Sequence, residues 1–269
     1  AQWCLRYAAD CSAWMKLEHR TVFEAISKKI SLSLEETKEW IDQSNNIYFP
    51  EDKNRGVFLQ QDGFLDKELR QASSLNPSER PINQHWSWDR ILRSCFIKQA
   101  DVLQGLYFFE ENFDLDTLKR NFDFYEPMTV HESSLSPCVH SIQAARLGRM
   151  DKAYEMYLRT SRLDLDDYNN EVAEGLHITS MAGTWMSVVQ GFGGMSWKGD
   201  QVHFWPRIPS EWQSYSFTLR FRGANVRVTA NKKEVVLEHL SGSAVEMHVY
   251  GSHLKLSQGS KECLPNPNT

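Results

Sequence analysis

Two neighbouring polar side chains, Lys98 and Gln99, stand in a largely apolar stretch that begins at Phe96. An ammonium group offers three hydrogen-bond donors, and a carboxamide offers both donors and an acceptor. Together they suit the hydroxyl groups of a sugar, so the pair is a candidate carbohydrate site. The alternative is a pair on the solvated face of a helix, where most Lys and Gln side chains lie.

A second cluster places an imidazole and hydroxyls in a loop that leads into a predicted helix, at His131, Ser133 and Ser134. The helix is predicted to begin at Ser136-Pro137, a cap followed by a first-turn proline. The backbone N–H groups and the dipole at a helix start attract anions, so this loop is a candidate phosphate site. The alternative is ordinary N-capping by Ser136.

A third cluster comprises His177, Gly183 and Thr184. Glycine lets the backbone approach a ligand closely, and histidine can donate a hydrogen bond to an anion. The alternative is a histidine satisfied in the core and a tight helix contact at Gly183.

No metal or organic cofactor is expected from these residues. The segment 164–170 resembles a calcium loop, but Tyr168 stands where an oxygen ligand is needed and Asn169 where the sharp turn needs glycine. His131 and His140 are not at a spacing that zinc sites use. The motifs therefore predict a site that binds its ligands through side chains and backbone alone.

Composition excludes several classes of function. The chain has 269 residues and a formal net charge of −5, so nucleic acid and anionic membranes are poor partners. Five cysteines, an odd number without a C-x-x-C pair, favour reduced thiols in a cytoplasmic protein. The opening AQWCLRYAAD resembles a helix in mid-course, without an N-cap or a signal peptide, which predicts a segment of a longer chain.

The pattern of apolar residues changes once along the chain. Helical spacing dominates as far as Gly191, and alternation with a period of two dominates after Gly194. The predicted fold class is mainly α with a small antiparallel β-sheet domain at the C-terminus. The predicted domains are residues 1–192, residues 193–258 and a flexible tail over residues 259–269.

Several long strings carry a resemblance to a known family. IKQADVLQG, NFDFYEPMTVHESSLSP, RLDLDDYNNE and EGLHITSMAGTWMSVVQGFGGM resemble the disaccharide phosphorylases of glycoside hydrolase family 65. QQDGFLDKE and PINQHWSWDRILRS look most like the maltose phosphorylase branch of that family. The matching strings follow one another at natural spacing and cover nearly the whole chain.

The resemblance implies the later helices of an (α/α)₆ barrel followed by a small sheet domain. It implies an inverting phosphorolysis of maltose to β-glucose 1-phosphate and glucose, with phosphate as co-substrate and with kojibiose, nigerose and trehalose as alternative substrates. Lys98 and Gln99 would hold glucose. The residues that would hold phosphate are His131, Ser133, Ser134, His177, Gly183 and Thr184.

The same resemblance implies that no catalytic acid lies in this chain. The family's general acid is a glutamate upstream of the helix that opens the sequence, and neither Glu132 nor Glu174 is a counterpart. The expected partners are therefore the remaining parts of the same enzyme, a β-sandwich and the early barrel helices, in a homodimer. In isolation, the chain would be an inactive sugar-binding or structural fragment.

Overall fold

A computed structural model describes residues 1–268 of the chain. They fall into two compact units, residues 1–50 and the residues from Glu51 onward. The division predicted between residues 192 and 193 lies inside the second unit, between a π-helical turn that ends at Phe192 and the first strand of the C-terminal sheets. Within residues 1–268, no helix has the length and apolar character needed to cross a membrane.

The first unit consists of three helices. Ser33 caps the third, because its Oγ accepts the N–H of Glu36 at 3.0 Å, as the capping-box pattern predicts. Gln2 and Ser44 tie the first helix to the third through two reciprocal side-chain-to-backbone hydrogen bonds. The helices are α1 (Gln2–Glu18), α2 (Arg20–Ile30) and α3 (Leu34–Asn46).

The second unit begins with a short hairpin and continues with helices that surround one buried helix, α8. Every residue of α8 from 136 to 145 is buried, so this helix forms the centre of the helical layer. It ends where Gly148 adopts a left-handed conformation, as its sequence pattern predicts. The elements are β1 (Glu51–Asp52), β2 (Val57–Phe58), α4 (Ile82–His85), α5 (Trp88–Arg93), α6 (Asp101–Phe108), α7 (Leu115–Tyr125), α8 (Ser136–Arg146), α9 (Met150–Ser161), α10 (Leu163–Asp166), α11 (Ile178–Met186) and the π-helical turn Ser187–Phe192.

Two four-stranded sheets follow, and their inward-facing Val, Leu and Met side chains form a second core. The strand orders are β10-β7-β6-β5 and β3-β4-β8-β9. One pairing, β4 with β8, is parallel, so the second sheet is mixed rather than purely antiparallel. The strands are β3 (Ser196–Lys198), β4 (Gln201–Phe204), β5 (Ser214–Phe221), β6 (Ala224–Asn231), β7 (Glu234–Ser241), β8 (Val245–Val249), β9 (Ser252–Leu256) and β10 (Lys261–Pro265).

The prediction of a flexible tail over residues 259–269 is wrong for most of that range. Strand β10 pairs with β7 from Lys261 to Pro265 and completes the first sheet. Asn266 continues the contact, because its backbone N–H donates to the Lys233 carbonyl at 2.9 Å. Pro265 ends the strand at the sheet edge, where its missing N–H costs no ladder bond. Thr269 lies outside the described residues.

Candidate functional site

Lys98 and Gln99 line a cavity of about 290 Å³, which is at the lower limit of small-ligand pockets. Its wall combines polar groups with aromatic and aliphatic surface, as carbohydrate sites do. Gln60 donates from Nε2 to the Asp101 carboxylate at 3.0 Å, so two further polar side chains of the cavity are held in fixed positions. The other lining residues are Gln61, Lys67, Trp88, Ile91, Leu92, Ser94 and Phe96.

A short parallel bridge joins the segment of Lys98 to the loop that carries the second motif. The Ile97 N–H donates to the Met128 carbonyl at 3.0 Å, and the Val130 N–H donates to the Ile97 carbonyl at 2.9 Å. Ile97 and Val130 are both buried, so this bridge is fixed by packing as well as by hydrogen bonds. The predicted sugar motif and the predicted phosphate loop are therefore neighbours in space.

The phosphate loop in turn contacts the third motif. Ser134 Oγ lies 3.2 Å from Thr179 Oγ1 in the first turn of α11, two residues after His177. Ser133 Oγ has a local role, because it accepts the Leu135 N–H at 3.2 Å. Two segments that lie about 45 positions apart thus meet through their hydroxyls, at the start of a nine-residue helix.

His177 is held by a carboxylate on the preceding short helix, α10. Asp164 Oδ1 lies 2.6 Å from His177 Nδ1, and Asp164 Oδ2 accepts the His177 backbone N–H at 3.0 Å. The hydrogen bond from the imidazole lowers the pKa of Asp164 below its ordinary value. Glu171 Oε2 lies 3.7 Å from Nε2 on the other side of the ring. The His177 side chain stays 21% exposed, so a solvent-borne ligand can reach it.

His131 differs from the prediction, because its ring faces the interior. Nδ1 lies 3.4 Å from Ser136 Oγ, Nε2 lies 3.8 Å from Glu126 Oε1, and the ring packs edge-on against His140. Burial lowers the pKa of His131, which favours the neutral imidazole there. Direct contact between this ring and a phosphate is therefore disfavoured.

The alternative role predicted for this segment, N-capping by Ser136, is not seen either, because the Ser136 side chain makes no capping hydrogen bond to α8.

Gly183 and Thr184 also differ from the prediction, because both lie inside α11, where backbone N–H groups are already bonded within the helix. A Cβ added at Gly183 would lie 2.8 Å from Cys138 Cβ on α8, so the glycine permits close helix packing. Thr184 Oγ1 donates to the Ser180 carbonyl at 3.0 Å. The tight-contact alternative describes Gly183 better than a phosphate-binding role does.

Glu132 has a structural role in the arrangement. Its side chain is 3% exposed, and its carboxylate accepts from Arg80 Nε at 2.6 Å and from the Ile82 N–H at 2.7 Å. These contacts join the phosphate loop to the start of α4. Both carboxylate oxygens are thus engaged within the protein, which disfavours a direct role of Glu132 in the reaction.

Glu126, His131 and His140 are the described residues whose side chains could share a metal ion, with possible ligand atoms within 4.8 Å of one another. The Lys152 ammonium lies 3.0 Å from Glu126 Oε1 and already neutralises that carboxylate. Contact with His131, then with Lys152, lowers the pKa of Glu126 to about 2. Because Lys152 already forms an ion pair with the Glu126 carboxylate, we interpret the cluster as a buried polar network beside the phosphate loop.

Two residues of the site escaped the sequence analysis. Asp164 lies in a segment that resembles both a calcium loop and the family 65 sequences, and Thr179 lies between His177 and Gly183. Neither Asp164 nor Thr179 has a local sequence signal, since their partners come from other elements.

Comparison with known proteins identifies the family. The model of the glycosyl hydrolase family 65 central catalytic domain matches residues 1–186, and the model of the family's C-terminal domain matches residues 195–256. Maltose phosphorylase of Bacillus subtilis is 44% identical over 99% of this chain and 34% of its own length. Alpha,alpha-trehalose phosphorylase of Thermoanaerobacter brockii is 40% identical over 95% of this chain and 33% of its own length.

A solved structure from the human microbiome, provisionally named a kojibiose phosphorylase, matches with a TM-score of 0.86 and 34% identity. The match covers 97% of this chain and 36% of that one. The chain thus spans about a third of the length of the relatives that it matches. The predicted fold class, later helices of an (α/α)₆ barrel followed by a small sheet domain, is confirmed.

Proposed function

Because the chain belongs to glycosyl hydrolase family 65, we propose that it forms part of an inverting α-glucoside phosphorylase that cleaves maltose with phosphate. The observation that carries this proposal is the 44% identity with a maltose phosphorylase over 99% of the chain. The products are β-glucose 1-phosphate and glucose. The general acid, a glutamate, lies outside residues 1–269 in this proposal.

In this proposal the reaction needs no catalytic base on the nucleophile's side of the site. An inverting glycosidase uses one carboxylic acid to protonate the leaving oxygen and one carboxylate to activate water. Phosphate is an anion at neutral pH and attacks C1 directly, so a base is not needed and a carboxylate would repel it. Hydroxyls, an imidazole and a helix start suit phosphate better.

In this proposal the cavity of Lys98 and Gln99 holds the glucosyl unit, and Ser134, Thr179 and His177 hold phosphate on the face opposite to the leaving oxygen. Support comes from the bridge that places the Lys98 segment beside the phosphate loop, and from the 3.2 Å contact of Ser134 with Thr179. Holding both reactants in one orientation converts a bimolecular attack into an effectively unimolecular step.

The glycosidic linkage is proposed from the sequence identities of the relatives. Relatives at 34–40% identity include a trehalose and a kojibiose phosphorylase, so the family alone allows several disaccharides. The proposal of maltose rests on the higher identity to a maltose phosphorylase. Kojibiose, nigerose and trehalose are the alternatives. A homodimer in the cytoplasm is part of the same proposal.

The test is an assay of the full-length enzyme against these four disaccharides, with and without inorganic phosphate. We expect maltose to be cleaved fastest, and only when phosphate is present. Equal glucose release in phosphate-free buffer would identify a hydrolase instead. Residues 1–269 expressed alone should be inactive, and robust turnover by them would contradict the placement of the general acid elsewhere.

A further inference from the structure

Asp164 contacts His177 twice, through the ring and through the backbone. Oδ1 lies 2.6 Å from Nδ1, and Oδ2 accepts the backbone N–H at 3.0 Å. A bidentate carboxylate fixes both the ring plane and the start of α11, for which His177 is the N-cap residue. The position of this imidazole is therefore set by α10 rather than by its own helix.

The contact also selects the tautomer of His177. A carboxylate accepts only, so Nδ1 carries a proton, and Nε2 is the ring atom that remains for a ligand, although the Glu171 carboxylate lies 3.7 Å from it. Asp164 itself is well anchored, because the preceding Leu163 is buried in the core. In catalytic triads and in many metal sites, a carboxylate likewise accepts a hydrogen bond from one ring nitrogen of a histidine, while the other nitrogen contacts the substrate or the metal.

We infer that Asp164 is a positioning residue for phosphate: it holds His177 so that Nε2 faces the anion site beside Ser134 and Thr179. This inference rests on the proposed phosphorylase function. Asp164 touches neither reactant. Its contribution is to keep the imidazole in one orientation with Nδ1–H donating to the carboxylate. Nε2 then accepts the O–H of hydrogen phosphate, or donates an N–H to phosphate when the ring is protonated. Because the ring is already oriented, less conformational freedom is lost when phosphate binds.

The test measures steady-state phosphorolysis by the full-length enzyme carrying Asp164→Asn, His177→Asn or both. Asp164→Asn keeps the size of the side chain and can still accept the backbone N–H, but it loses the charge that holds Nδ1. We expect its KM for inorganic phosphate to rise about ten- to a hundredfold, by analogy with the carboxylates that orient the histidine ligands of metal sites. The KM for the disaccharide should stay within about twofold, and KM does not depend on the fraction of enzyme that is folded.

The double variant separates positioning from mere structural support. If Asp164 acts through the ring, Asp164→Asn should change the phosphate KM by less than twofold once His177 is already Asn. A further rise of the full size in that background would show that Asp164 supports the start of α11, and would overturn the inference. Asp166→Asn is the matched control, since Asp166 pairs with the exposed Arg162.

Failure of the inference and failure of the proposed site have different signatures. If His177→Asn raises the phosphate KM but Asp164→Asn does not, the positioning role is wrong while the phosphate site stands. If His177→Asn itself leaves the phosphate KM unchanged, the phosphate site is wrong, and the role of Asp164 fails with it.

Discussion

Ser134 Oγ and Thr179 Oγ1 lie 3.2 Å apart, although 45 positions separate the two residues in the chain. The contact joins the loop before α8 to the first turn of α11. Both hydroxyls can turn towards a third partner, and the dipole at the start of α11 favours an anion. The proposed phosphate site lies here because this contact brings the two hydroxyls and the start of α11 together.

Ser134→Ala should weaken phosphate binding without affecting the sugar. A hydrogen bond to a charged group is worth about 1.5–3 kcal/mol, which corresponds to a rise of about ten- to a hundredfold in the KM for phosphate. Initial rates at varied phosphate and saturating disaccharide measure it. Ser73→Ala, at an exposed position of the 3₁₀ turn Ala72–Ser74, is the control. An unchanged phosphate KM would remove Ser134 from the site.

Lys98→Ala should damage recognition of the glucosyl unit more than recognition of phosphate. Loss of charged hydrogen bonds to hydroxyls costs about 1.5–3 kcal/mol, or about ten- to a hundredfold in kcat/KM for the disaccharide. The control is Lys119→Ala, at an exposed position of α7. If kcat/KM for the disaccharide were unchanged, Lys98 would be a surface residue without a role in binding.

Glu171→Gln should improve phosphate binding. The Glu171 carboxylate lies 3.7 Å from His177 Nε2, so it competes with phosphate for that nitrogen and repels it. Two unit charges about 4 Å apart interact by about 1 kcal/mol in a water-like dielectric, which corresponds to about a fivefold fall in the phosphate KM. Glu174→Gln, exposed in the same loop, is the control. A higher KM in Glu171→Gln would mean that this carboxylate supports the ring.

Gly183→Ala should destabilise the enzyme, because the new Cβ would lie 2.8 Å from Cys138 Cβ and 3.3 Å from Thr160 Cγ2. Overpacking of this kind costs about 1–3 kcal/mol, more than the gain in helix propensity of about 1 kcal/mol. Thermal unfolding should therefore show a lower Tm. Gly105→Ala in α6 meets no atom within 4 Å and should raise the Tm instead. A Tm that rises in both variants would contradict the packing role of Gly183.

Local patterns predicted the elements well. The cap at Ser33, the end of α8 at Gly148 and the alternation along β5 follow from short-range rules and appear in the structure. Strand β10 was missed because its pairing with β7 is non-local, and the prolines and asparagines around it resemble a frayed end. Sequence alone favours a loop there, and the partner strand overrides that preference.

The roles of the site residues stay a prediction, and the structure brings three of their motifs together. The motifs around Lys98, Ser134 and His177 are joined by a backbone bridge and a hydroxyl contact. The partners of His177 could not be predicted, because Asp164 meets it only after α10 and α11 have packed. His131 shows the converse, since a histidine beside two serines suggests an anion site while its ring turns inward to Glu126.

The anomeric configuration of the first product tests the central claim most directly. The full-length enzyme is mixed with maltose and inorganic phosphate, and proton NMR follows the anomeric signals before mutarotation of glucose obscures them. Direct attack by phosphate from the face opposite to the leaving oxygen predicts β-glucose 1-phosphate, formed in an amount equal to the glucose released. Formation of α-glucose 1-phosphate, or of free glucose in twice the amount of maltose consumed, would contradict the account.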